Sequence, residues 1–317
     1  MSRSAADNLA SVATGISPPI SLEQFLQAST QKCEACLQSL PETVSVKGVQ
    51  ATARFHHLRL DGNGRPKFRE LAECLADHIV YYCCTAQKRA RAKTDDEVLA
   101  LRREARDFFR DEQRSGEAGE MLLYLLLEAI LGAPQMVTKI ALKTNPEMET
   151  LGSDGIHMKW HAEHGQLDVY FNEAKLYQDI GDAATKAVES IELFHEKDMA
   201  RYELRMVTSH YKHADDQTKA AVLEYVDLAS SAVNCRINHA CLLGYNSDAY
   251  GQLPEGDLQT MVDAFQDQYR AALPHLQKIL DGRFARFAEM RLRFEIFVLP
   301  FSSVEEFRQA FNAELRG

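Results

Sequence analysis

The stretch SDGIHMKWHAEHGQLDVYFNEAK, residues 153–175, reads as two β-strands joined through a turn at His161 to Gly165. Side chains two apart on a strand share a face, so Glu173 and Lys175 project together at the end of the run LDVYF. Pairing of the two strands would bring Asp154 to them. Val169 and Phe171 lie on that same face, which sets the charged pair at the end of a buried apolar stripe, where an ionised group is costly without a task. Asp168 lies an odd number of residues from Glu173 and so falls on the opposite face. His157, His161 and His164 straddle the turn instead of following a helical spacing, and zinc ligation by them is not expected.

Upstream, GEAGEMLLYLLLEAILGAP (116–134) predicts an apolar helix from Glu117 to Leu131, stopped by Gly132 and Pro134. Glu117, Glu120, Tyr124 and Glu128 recur at three- and four-residue intervals and form an acidic stripe on it. A strand is expected at 137–143. Downstream the pattern predicts a helix capped by Asp182, a strand at 205–209, a helix at 217–231, a strand at 236–245, a helix at 258–280, a strand at 293–299 and a last helix capped by Ser303 with Glu306. This succession implies an α/β fold, a mixed central sheet flanked by helices.

Three regions follow in order: a lead-in at 1–20, a mostly helical region at 21–115 expected to contact a partner, and the chemical core at 116–317. Within the second, a helix is expected from Ser21 to Leu40, strand-like pieces between Val44 and Leu60, a turn at Asp61 to Gly64, and a helix with the stripe Phe68, Leu71, Leu75, Ile79 and Tyr82. Lys88 to Lys93 is a basic patch. Thr94 with Glu97 is a capping box for a charged helix bearing Arg102, Arg103 and Arg106, with Arg110 beyond.

The chain has 317 residues, 45% of them hydrophobic, and a net charge of -10. That composition excludes disorder throughout, and the charge argues against a protein that coats nucleic acid unaided. No charged start precedes an apolar run, and no apolar span approaches eighteen residues, so a cytoplasmic protein with no membrane segment is expected. Seven cysteines in no regular framework fit reduced thiols, with Cys33 and Cys36 read as buried helical thiols.

Mg2+ prefers oxygen ligands and needs only one or two carboxylates beside a phosphate oxygen. Asp154 and Glu173 are the expected metal ligands, for Mg2+ or Mn2+, with Glu120 as a further ligand. Lys175 would orient the attacking water and stabilise the anionic transition state. Asp154 followed by Glu173-x-Lys175 on an apolar strand resembles the PD-(D/E)xK nuclease superfamily, with Ser153 where a proline often precedes the aspartate. The longer phrases GEAGEMLLYLLLE, GSDGIH, VYFNEAKLY, TKAVESIELF and FVLPFSSVEEFRQAF are similar to the HamA family, the nuclease subunits of Hachiman anti-phage defence, and to related Abp-type defence proteins. That resemblance implies a PD-(D/E)xK-like core with an N-terminal helical extension. It also implies a metal-dependent DNase with Asp154, Glu173, Lys175 and Glu120 as catalytic residues, and a heterodimer with a superfamily 2 helicase subunit (HamB-like) that activates it on DNA. The alternative is a non-catalytic adaptor that binds and regulates the helicase, a reading that Ser153 and the acidic charge keep open.

Overall fold

The computed structural model describes residues 21–28, 30–109, 116–138, 153–161, 163, 166–200, 202–204 and 235–316. Residues 153–176 fold as expected: β4 (Gly155–His161) runs antiparallel to β5 (Gln166–Leu176), with Ile156 opposite Phe171 and Trp160 opposite Leu167. To these the chain adds β1 (Leu37–Ser45), β2 (Gln50–Leu58), β3 (Gln135–Thr138), β6 (Cys235–Asn246) and β7 (Arg293–Phe301). The seven strands form one mixed sheet in the order β1-β2-β7-β6-β5-β4-β3. The inner strands β2, β7, β6 and β5 are parallel to one another, and the flanking pairs β1/β2, β4/β5 and β3/β4 are antiparallel. Residues 240–243 of β6 and 296–301 of β7 are buried without alternation, as expected of parallel strands covered on both faces.

The helices are α1 (Thr30–Cys36), α2 (Phe68–Asp77), α3 (Ile79–Cys83), α4 (Ala86–Arg91), α5 (Asp95–Asp107), α6 (Glu117–Leu126), α7 (Ile180–Glu196), α8 (Leu258–Phe284) and α9 (Val304–Arg316). Parity on β5 separates the two faces. Ala174 and Leu176 meet α6 at Gly119, where an added Cβ would stand 3.3 Å from Ala174 Cβ and 3.1 Å from Leu176 Cγ. Phe171 turns the other way, onto Phe194 of α7, with ring centroids 4.8 Å apart. Met136, Ile156, Met158 and Val169 complete a small core under the β4–β5 hairpin.

Several local expectations hold. The Asp61–Gly64 turn is closed by Gly64 N–H donating to Asp61 O, with Asp61 Oδ1 accepting from the Asn63 and Arg65 amides. The Thr94–Glu97 capping box is formed. The helix at 117–131 is α6 plus a π-turn at Leu127–Leu131, ended by Gly132 at a left-handed φ of 63°.

Others are corrected. In place of a helix from Ser21 to Leu40 there is a 3-10 turn at Leu22–Phe25, the short α1, and strand β1 from Leu37 onward. Pro41 is compatible with that strand because β1 is an edge strand whose register shifts between Ser39 and Thr43, so no ladder amide is required there. Residues 37–58 thus contribute two strands to the common sheet, and the segment ahead of residue 116 is not purely helical. The cap of α7 is Asp179, not Asp182; its carboxylate accepts from the Gly181 and Asp182 amides. The expected strand at 205–209, the helix at 217–231, the outer part of the strand at 137–143, the lead-in at 1–20, Arg110 and His164 lie outside the described residues.

Candidate active site

Antiparallel pairing of β4 with β5 brings the start of one to the end of the other. Asp154, one residue ahead of β4, donates its N–H to Asn172 O at 2.9 Å, and its Oδ2 accepts from Ala174 N at 2.9 Å. The carboxylate is therefore clamped onto the strand between Glu173 and Lys175. Lys175 Nζ lies 2.5 Å from Glu173 Oε1. Both carboxylates are buried, each 7% exposed, whereas Lys175 keeps about a quarter of its side chain in solvent, 23%. The sequence-derived trio is thus one cluster, with its ammonium at the solvent side.

Burial works against the Lys175 ammonium, but the Glu173 and Asp154 carboxylates outweigh it and raise its pKa above the ordinary lysine value. The lysine is a fixed cation at neutral pH. Cys241, opposite Glu173 on β6, has its thiol pKa pushed up by burial and then by Glu173.

Glu120 comes from the first turn of α6 and approaches by way of Tyr82. The Tyr82 hydroxyl donates to Glu120 Oε2 at 3.5 Å. Burial, then the charges of Glu120, Asp154, Cys83 and Glu117, drives the Tyr82 phenol pKa well above its usual range. Glu120 and Asp154 therefore both act electrostatically on the same buried phenol. Sequence periodicity marked Tyr82 only as the last member of an apolar stripe; no local pattern signals its place beside the acids.

Glu128, from the same acidic stripe, does something else. It closes the core by accepting from the Gln27, Ala28 and Gln135 amides at 2.7, 2.8 and 3.1 Å.

Ser153 is explained by its partner. Its N–H donates to Glu203 Oε1 at 2.6 Å and its hydroxyl to Glu203 Oε2 and Gly155 O. A proline at 153 would lack that amide donor.

Of the histidines, His157 Nδ1 bonds Ala133 O at 2.7 Å and His161 Nε2 faces Asp168 Oδ2 at 2.7 Å. Asp168 is also gripped by Arg236 and lies on the other face of β5, as its parity requires.

As a donor set for a metal, Asp154 and Glu173 offer two adjacent carboxylates, which suits a hydrated Mg2+. Among the described residues no group of three or more His, Cys, Asp or Glu side chains is arranged to hold an ion. No described helix is long and apolar enough to cross a membrane.

The family model for HamA matches residues 36–315, nearly the whole chain. A search of curated proteins finds no match. The chain belongs to the HamA family, a component of the Hachiman anti-phage defence system in which HamA works with HamB.

Proposed function

We propose that this HamA-family protein is a metal-dependent DNA endonuclease, built on a PD-(D/E)xK-like core and acting as the effector of a complex with a superfamily 2 helicase partner. The observation that carries the reading is the convergence of Asp154, Glu173 and Lys175 where β4 and β5 meet, with Lys175 Nζ on Glu173 Oε1 and Asp154 fastened to the amide between them. Two buried carboxylates beside one ammonium supply the oxygen donors that a hydrated divalent cation takes.

Asp154 and Glu173 would hold Mg2+, or Mn2+ in its place, and Glu120 would act from beyond them through Tyr82. Bound there, the cation would lower the pKa of a water and neutralise charge on a phosphodiester. Lys175 keeps its proton at neutral pH, so its part is that of a donor: its Nζ–H groups would orient the phosphate and stabilise the charge that grows on the non-bridging oxygens as water adds and the ester oxygen leaves. The buried surroundings strengthen that interaction by excluding bulk water.

Plasmid nicking by the purified chain, with Mg2+ or EDTA and with or without activated HamB, tests the reading. Cleavage is expected with metal and partner, and not from the Glu173→Ala, Lys175→Ala double variant. If wild type and double variant leave DNA equally intact in the activated complex, the protein is an adaptor and the enzyme reading is wrong.

A further inference from the structure

Charge is unevenly spread over this acidic chain. Thr85 to Lys93, TAQKRARAK, holds four cations and no acid in a protein of net charge -10. The segment forms α4, capped by Thr85 and burying none of its own residues. A solvated helix face ordinarily carries its own counter-charges, as α5 does with Asp95, Asp96, Glu97, Glu104 and Asp107. α4 lacks them. Lys88 borrows Glu104 from α5, and Arg89 turns inward to Cys84 O at 2.6 Å and over the Tyr81 ring. Arg91, Lys93 and Arg103 are exposed and make no ion pair among the described residues.

This cationic ledge lies a few residues along the chain from Tyr82, the phenol that borders Glu120. α4 begins at Ala86, just past α3, which carries Tyr82 to Glu120. Tyr82 also stacks edge-on against Tyr124, at 5.4 Å, one turn along α6 from Glu120, a rise of about 6 Å. Duplex DNA carries a phosphate charge about every 1.7 Å of its axis, so a duplex seated at the site presents phosphates well beyond it, over the span that the few residues between Tyr82 and α4 can cover. Exposed lysines suit phosphates better than a protein partner, because lysine is depleted in protein interfaces while phosphates take the majority of protein–DNA hydrogen bonds.

We infer that Lys88, Arg91 and Lys93, with Arg103 alongside, hold the phosphodiester backbone of the DNA whose strand enters the Asp154–Glu173–Lys175 site. The inference rests on the nuclease reading for its substrate but is decided by binding alone. The test uses the full-length chain carrying Glu173→Gln, a fluorescent 30-base-pair duplex and anisotropy without divalent metal, from 50 to 200 mM KCl. Adding Lys88→Ala, Arg91→Ala and Lys93→Ala is expected to weaken binding at least about tenfold and to make the slope of log K against log salt shallower by about 2–3, near 0.9 per lost contact. A control removing three exposed cations elsewhere, Lys197→Ala, Lys278→Ala and Arg283→Ala, is expected to retain affinity and slope. The surface is wrong if the α4 triple variant, with an unchanged melting curve, binds like its parent, or if the control loses as much. It is equally wrong if the parent binds no duplex at about 10 μM, within the ordinary range of non-specific affinity. Glu173→Gln protein that still nicks DNA would instead overturn the catalytic assignment and leave the binding comparison standing.

Discussion

Strand β5 carries an acid–base cluster at each end, one on either face, and the two are built to different charge balances. Near its start, the single carboxylate of Asp168 meets the Arg236 guanidinium through two oxygens, the His161 ring at 2.7 Å and the Tyr170 hydroxyl at 3.3 Å. Near its end, Glu173 and Asp154 face the single ammonium of Lys175, with Glu120 beyond Tyr82. Both acids are buried and both have a cation at hydrogen-bonding distance, so burial and pairing do not tell them apart. Charge count does. At the Asp168 end one carboxylate meets a guanidinium and an imidazole, whereas at the Glu173 end two carboxylates gather about one ammonium, an oxygen-donor pair of the kind a divalent cation takes.

That contrast breaks most sharply under substitution of the acids. Glu173→Gln or Asp154→Asn is expected to lower DNA cleavage by the activated complex about 10²–10³-fold or more, the scale seen when one preorganised electrostatic partner is lost. Thermal stability should hold or rise, because one of two like charges disappears; a collapse in melting temperature would mean that the trio is structural. Asp168→Ala should show the reverse. Losing the carboxylate strands Arg236, and because that side chain keeps some exposure the cost should fall near the lower end for buried pairs, about 3 kcal/mol by urea unfolding. Cleavage per folded molecule should be unchanged. An Asp168→Ala protein that is stable but inactive would put chemistry at the wrong end of the strand. Glu120→Gln sharpens the boundary of the site: acting through Tyr82, it is expected to cost about tenfold in cleavage or in Mg2+ dependence, as outer partners of metal ligands do.

What the chain revealed before folding follows the range over which each interaction acts. The β4–β5 hairpin, the facing of Glu173 with Lys175 and the exclusion of Asp168 depend only on a period of two, and all were legible. The position of Asp154 needed one strand pairing and was also legible. Tyr82 was not, since its place beside Glu120 and Asp154 depends on how α3 packs against α6, a contact between residues 38 apart in sequence. The edge strand β1 was misread as helix because Leu37 and Leu40 also fit a helical interval, and only the pairing with β2 decides between the two. The same non-local pairing, β2 beside β7, ties residues 37–58 into the sheet, which no local signal announced.

The smallest expected effect concerns the two cations themselves. Arg236 is held protonated beyond its usual range, first by the hydrogen bond it donates to Asp168; Lys175 is held so by Glu173 and Asp154 against the opposing pull of burial. A raised folded pKa stabilises the native state fully below the unfolded pKa, 10.5 for this lysine, and the contribution disappears as pH climbs through the higher folded value. The difference in unfolding free energy between wild type and Lys175→Met should therefore stay constant, within a few tenths of a kcal/mol, from about pH 7 to about pH 9.5, and begin to shrink only above about pH 10.5. For Arg236→Met it should stay flat to the highest pH at which the fold survives. A Lys175 difference that instead moves in favour of wild type as pH rises from about 8 would mean that its pKa is depressed, as for a lysine beside another cation or stranded by burial. Lys175 would then serve as a proton acceptor, and Asp154 and Glu173 would stand without an ammonium opposite them.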